Sequence, residues 1–201
     1  MKRFWVGWIT LCLGMWVLFS CGAAQPRSGD FDYADGAFSA VLRGTYTPSD
    51  GVLRPVTAEV TVGAPAREGA PRNLRITFSQ PPALAGVTVS AAADGATGER
   101  VVTFTAVSPH GTVTAVGAGG EYDGLLRFAE ALIPAGDVVS VSPVEEDGTH
   151  TVTRRTAEGD GETVYRFGAG GGLPLQVTAR TGEEILELAV SAADGDHAGR
   201  P

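Results

Sequence analysis

Along residues 73–79 apolar and polar side chains alternate strictly, with Leu74, Ile76 and Phe78 on one side and Asn73, Arg75, Thr77 and Ser79 on the other. A period of two sends successive side chains to opposite faces of an extended backbone, so this pattern predicts a strand with one buried face. The pattern recurs at 38–46, 56–62, 86–91, 101–106, 111–116, 138–144, 149–156, 162–167, 174–180 and 184–191. Together these give about eleven strands. Turn signals such as Ser49-Asp50-Gly51, Ala93-Asp94-Gly95, Glu146-Asp147-Gly148 and Thr181-Gly182 separate them. Connections this short join mostly antiparallel neighbours.

One segment changes period. Leu125, Phe128, Ala129 and Leu132 fall at i, i+3, i+4 and i+7, behind Asp123 as an N-cap and ahead of Pro134. That spacing predicts one short amphipathic helix, and its apolar stripe must be covered by a sheet face. The chain carries no internal repeat and no second block of composition, so one domain is the simplest partition; a break at the helix into two small β-domains is the alternative. The fold expected is mainly β: a single curved antiparallel sheet, or half-barrel, with the helix in its concavity, the alternative being a β-sandwich. If the sheet is continuous, Phe38, Leu42, Val60, Ile76, Phe78, Val89, Phe104, Tyr165, Phe167, Leu175, Val177, Leu186 and Leu188 share its inner face. They either fill a closed core or line a ligand cavity. For the cavity, the candidate lining residues are Phe78, Phe104, Leu125, Phe128, Phe167 and Leu186.

The N-terminus has a different pattern. Lys2 and Arg3 precede a largely apolar run, Phe4 to Phe19, closed by small Ser20 and by Cys21. Charged, apolar and cleavage regions in that order form a secretory signal. As a helix the run spans only about 24 Å at ~1.5 Å per residue, short of a hydrocarbon core of about 30 Å, which argues against a permanent span. Leu18-Phe19-Ser20-Cys21 resembles the lipobox of bacterial lipoproteins, although Phe19 is bulkier than the usual residue there. The resemblance implies that the chain is cut between Ser20 and Cys21 and that the Cys21 sulfur carries a diacylglyceryl group. Stable anchoring takes about two acyl chains, which that group supplies. An ordinary signal peptide cut near Ala23 or Ala24 is the alternative. The expected organisation is then residues 1–20 as signal, 21–30 as flexible tether, 31–192 as the β-rich domain and 193–201 as a disordered tail. The expected location is the outer face of the cytoplasmic membrane, or the outer membrane in a Gram-negative cell.

Processing changes the charge and the chemistry available. Loss of residues 1–20 removes Lys2 and Arg3, taking the formal net charge from −8 to −10. Nucleic acid is therefore excluded as a partner, because phosphate backbones are bound mainly through clustered Lys and Arg. All three tryptophans, both methionines, the only lysine and Cys12 also lie in the signal. Cys21, the remaining cysteine, is consumed by the anchor, which leaves no disulfide, thiolate nucleophile or cysteine metal site.

No motif carries catalysis. Gly117-Ala118-Gly119-Gly120 would need a further glycine at Tyr122 to make a dinucleotide turn, and Glu121 and Asp123 put negative charge where a pyrophosphate would sit. Gly168 to Gly172 lacks the Gly-Lys-Ser/Thr ending of a P-loop. His110, His150 and His197 lie beside turns or in the tail without partners at metal-ligand spacing, and are read as exposed. Asp94, Glu146, Asp147, Asp160 and Glu162 offer oxygens for calcium but match no EF-hand spacing. The expectation is a non-enzymatic protein without cofactor or metal.

An anchored sheet of this kind, with Tyr165-Arg166-Phe167, Gly172-Leu173-Pro174 and a closing strand through Leu186-Glu187-Leu188, resembles the lipoprotein carriers and receptors of the LolA/LolB-like group. The resemblance covers residues 31 to 192. It departs in having no N-terminal amphipathic helix before Phe38 and a short central helix, and no functional residue of that group maps onto this chain. The lipobox, Phe31-x-Tyr33 and the Ile76-x-Phe78-x-x-Pro81 strand end are also similar to small uncharacterised lipoproteins of Gram-positive bacteria. These resemblances imply a membrane-anchored protein that binds a hydrophobic ligand, a lipid or an acylated protein, in the concavity. The alternative is a structural or interaction module of the cell envelope with a filled core and a protein partner.

Overall fold

A computed structural model describes residues 25–67, 70–94, 99–108, 111–118, 123–156 and 159–193. Cys21 with its signal, His110, Gly119, Gly120, His197 and the tail from residue 194 lie outside the described residues. The strands are β1 (Phe38–Thr47), β2 (Arg54–Val62), β3 (Leu74–Gln80), β4 (Val87–Ala93), β5 (Arg100–Ser108), β6 (Gly111–Ala118), β7 (Asp137–Val141), β8 (His150–Arg155), β9 (Gly161–Phe167), β10 (Gln176–Thr181) and β11 (Glu184–Ala192). They form one eleven-stranded sheet in the order β6-β5-β4-β3-β2-β1-β11-β10-β9-β8-β7. Every pairing is antiparallel. Two meanders, β1–β6 and β7–β11, thus meet at the β1–β11 seam, and the sheet is curved and unclosed, with β6 and β7 at its edges. This is neither a sandwich nor two domains split at the helix.

Each strand expected from period-two alternation is present. The seventh ends at Val141 rather than Val144, because Pro143 has no N–H with which to extend a ladder. The turns form as their chemistry requires: the Val52 N–H donates to the Asp50 carboxylate at 2.9 Å, and the Thr149 N–H to that of Asp147 at 2.9 Å. At the seam the two meanders approach closely beside Gly44. A Cβ there would lie 1.9 Å from the Glu187 carbonyl oxygen, so no other residue fits without shifting the strands.

The helix α1 (Asp123–Glu130) lies in the connection from β6 to β7 and packs on β2, β3 and β4. Leu126, Phe128, Ala129 and Leu132 are buried against Phe78, Ile76, Val60 and the rest of the sheet's inner face. The deepest leucine of the first turn is Leu126; Leu125, placed on the stripe by spacing, is only half-buried. Of the inner-face residues expected, Leu175 is a correction: it precedes β10, with its backbone bonded to Arg166 and Val190, and is 49% exposed. Phe104 is partly buried against the core.

The N-terminal segment closes one end of the concavity. Phe31 sits edge-on to Tyr165 and Phe167, at ring-centre distances of 5.3 and 5.1 Å. The Tyr33 hydroxyl donates to the Leu132 carbonyl at 2.7 Å. Just before them, Asp30 is buried against His150 of β8. Arg27 and Asp30, within the residues expected to be tether, are joined by the Arg27 N–H to the Asp30 carboxylate at 2.8 Å.

Candidate functional site

Successive rows of inward-facing side chains cross β8, β9, β10, β11 and β1, and their character changes along the strands. The row nearest the N-terminal plug pairs His150 with Phe167. The next runs Val152, Tyr165, Val177, Leu188 and Gly44. The third runs Arg154, Thr163, Ala179, Leu186 and Tyr46, and continues to Arg54 on β2. Gly161, Thr181 and Glu184 follow at the rim. Apart from the buried Asp30–His150 pair at the closed end, the lining thus passes from apolar to polar toward the mouth.

The helix covers the β2–β4 half and leaves clefts at its margins. A cleft of about 290 Å³ opens over the β8–β11 half, with Leu186, Ala179 and Ile133 at its floor and Arg154, Thr163, Thr181, Glu184, Arg127 and Tyr46 around it. A second, of about 300 Å³, lies at the start of the helix, with Val56, Pro81, Leu84, Leu125 and Phe128 in its walls. Tyr46 and Arg127 line both, so these two side chains separate a mixed cleft from an apolar one. Ligand sites run from ~300 Å³ upward, so each cleft alone is at the small end. A larger space of about 610 Å³ lies on the helix's other flank, beside Arg72, Arg100 and Pro134. Arg72 there donates to the Ala34 and Gly36 carbonyls, and Arg100 pairs with Glu130.

The partition is built from polar contacts. Arg127 donates to the Tyr46 hydroxyl at 2.7 Å, forms an ion pair with Glu184 of β11 and lies over the Tyr46 ring, 5.1 Å from its centre. One turn further along the helix Glu130 pairs with Arg100 of β5 at 2.6 Å. The helix is therefore tied to both meanders by half-exposed ion pairs, each worth ~0–1 kcal/mol. Burial pushes the Tyr46 hydroxyl above its usual pKa against the opposing pull of Arg127.

Arg154 has different company. Its Nε donates to the Ala135 carbonyl at 3.1 Å and its Nη2 to that of Gly136, and it lies over the Phe31 ring, 5.2 Å from the centre. Among the described residues no carboxylate pairs with it, in contrast to Arg54, Arg100, Arg127, Arg155 and Arg166.

The residues expected to line a cavity divide. Leu186 and Phe128 are buried but still contribute to the clefts, as does Leu125. Phe78 and Phe167 are fully packed core, and Phe78 meets Phe128 edge-on at 5.6 Å. Sequence periodicity could not separate these roles, because core and cleft residues share one face.

His150 is a second correction, since it is 1% exposed rather than a surface histidine. Its Nε2 faces both Asp30 carboxylate oxygens, at 3.0 and 2.9 Å, and its ring stacks on Phe167. Nδ1 has no hydrogen-bond partner among the described residues. This pair fastens the N-terminal segment to the sheet. Three of the calcium candidates make local contacts: Asp147 bonds Thr149 and Arg166, Asp160 bonds Thr156, and Glu162 pairs with Arg155. The Thr149 hydroxyl and N–H hold the Asp147 carboxyl below its usual pKa. Among the described residues no three His, Cys, Asp or Glu side chains group as metal ligands, and no helix is long and apolar enough to cross a membrane.

Fold and clefts together define a single-sheet, unclosed β-protein with a helix laid in its concavity. No family model matches the chain, and no curated protein matches it.

Proposed function

We propose that this is a lipid-anchored extracytoplasmic lipoprotein that binds a hydrophobic or amphipathic ligand, without catalysis, in the concavity beside α1. The observation that carries the reading is the pair of clefts meeting at Arg127 and Tyr46. Their partition is a surface ion pair rather than packed core, so displacing Arg127 joins the two into one groove running from a mixed cleft to an apolar one. A ligand gains about 25 cal/mol per Å² of apolar surface it buries there. The anchor at Cys21 rests on the lipobox, and the likeness to lipoprotein carriers on the sequence motifs and the curved sheet. Native mass spectrometry of the detergent-extracted chain tests the reading: co-purifying lipid at one per chain is expected, and a clean apo mass with no gain in melting temperature on adding lipids overturns it.

The alternative, an interaction module, is favoured by a different observation. The β6 edge strand, Gly-Thr-Val-Thr-Ala-Val-Gly-Ala, has no charge or proline to blunt it, and Val113 and Val116 are largely exposed. The opposite edge is guarded by Asp137 and a bulge between Val138 and Ser140. Crosslinks from β6 to one envelope protein, with both clefts unlabelled by lipid, would establish that function instead.

A further inference from the structure

We infer that Arg154 is the head-group site for an anionic amphiphile, an acyl chain ending in a carboxylate or phosphate; this deepens the ligand-binding reading and rests on it. The charges around the 290 Å³ cleft are Arg127, Arg154, Glu130 and Glu184. Glu184 is paired with Arg127, and Glu130 with Arg100 just outside. Arg154 is the charge left over, a positive one in a chain of net charge −8. Its contacts are two backbone carbonyls and the face of Phe31, all of which leave the positive charge uncompensated. The Nη1 donors have no acceptor among the described residues, and a guanidinium fork matches the oxygens of a carboxylate or phosphate.

The surroundings complete an oxyanion site. Thr163 stands directly opposite Arg154 in the ladder, and Thr181 lines the same cleft, adding a hydroxyl donor at the rim, whereas the Thr156 hydroxyl is donated to Asp160. Toward the interior the lining turns apolar through Ala179, Leu186 and Ile133. Beyond Tyr46 and Arg127 lies the apolar cleft under Leu84, Leu125 and Phe128. Head at Arg154 and tail along this gradient is the orientation in which each part of an amphiphile meets its own kind of surface. A neutral lipid would leave the Arg154 donors unmatched.

The test uses the full chain in phosphatidylcholine vesicles with a sixteen-carbon diazirine fatty acid or its methyl ester, and peptide mass spectrometry to map photolabelling. A charge-assisted hydrogen bond gives at least about tenfold preference for the acid over the ester at cleft peptides. In Arg154→Gln the acid loses this advantage while ester labelling is unchanged, and in Arg154→Lys part of it survives. Thr163→Val, which leaves the carbonyl contacts of Arg154 in place, lowers the preference a few-fold and decides the matter if Arg154→Gln does not melt cooperatively. Inorganic phosphate in millimolar excess leaves labelling unaltered; if it abolishes the acid's labelling, the site takes free anions and the amphiphile is refuted. Equal labelling by acid and ester in the native chain, or a preference that survives Arg154→Gln, overturns the assignment of Arg154 alone. Absence of cleft labelling by both probes overturns the ligand-binding reading and this one with it.

Discussion

Burial decides what individual residues do in this protein, and the Asp30–His150 pair illustrates the stakes. Removing one partner of a buried, hydrogen-bonded pair leaves the other without compensation, at ~3–5 kcal/mol. Asp30→Ala should therefore lower unfolding free energy by about that much in denaturant titration, whereas Asp30→Leu combined with His150→Phe, which removes both polar groups, should cost much less. Tyr33 and Tyr165 give a pH dependence. Burial raises both pKa values above the ordinary 10. A group whose folded pKa is raised contributes stability in full below its unfolded pKa and loses it as pH climbs through the folded one, because only the unfolded chain releases the proton. Stability should fall as pH rises past about 10, the unfolded value, and this alkaline limb should flatten in Tyr33→Phe/Tyr165→Phe, read by thermal melts from pH 8 to 11. His150 shows where sequence reasoning stops. Its partner is 120 residues away, and a histidine next to a turn carries no local sign of a distant carboxylate.

At the scale of elements, alternation was legible because the inner strands have one face in the core and one in water, which writes period two into them; the edge strands β6 and β7 bury no residue among those described. Strand number and antiparallel pairing follow from that pattern and its turns. The helix was legible for the same reason at period 3.6, yet adjacent Leu125 and Leu126 could not be ranked, since depth depends on how the helix rolls against β2–β4. The tie of Arg127 to Glu184 was hidden too: its partners are 57 residues apart and half-exposed, and surface charges obey no period. Leu126→Ala should cost ~2–5 kcal/mol as a core cavity. Arg127→Ala should cost under ~1 kcal/mol while speeding uptake of ligand between the clefts, which stopped-flow fluorescence with an acyl probe would resolve. Gly44→Val strikes the seam itself, where Cβ meets backbone rather than a movable side chain. We expect loss of cooperative unfolding, read by circular dichroism.

The whole molecule combines a closed, apolar end carrying the N-terminal segment with an open, polar mouth at Tyr46, Thr181 and Glu184. With Cys21 anchored and Arg27 already turned onto Asp30, through its backbone N–H at 2.8 Å, only residues 22–26 intervene. At ~3.3–3.6 Å per residue the six steps from Cys21 to Arg27 reach about 22 Å at most. On the proposed anchoring at Cys21, the closed end of the domain would be the end nearest the bilayer. All of this depends on whether the clefts take a ligand. The most direct measurement is an NMR titration of the isotopically labelled protein with decanoate, following backbone and methyl signals. The account predicts saturable shifts at Tyr46, Arg127, Arg154, Thr163 and Leu186, with Val113 and Val116 on β6 unmoved. No saturable shift, or shifts confined to the β6 edge, would contradict it.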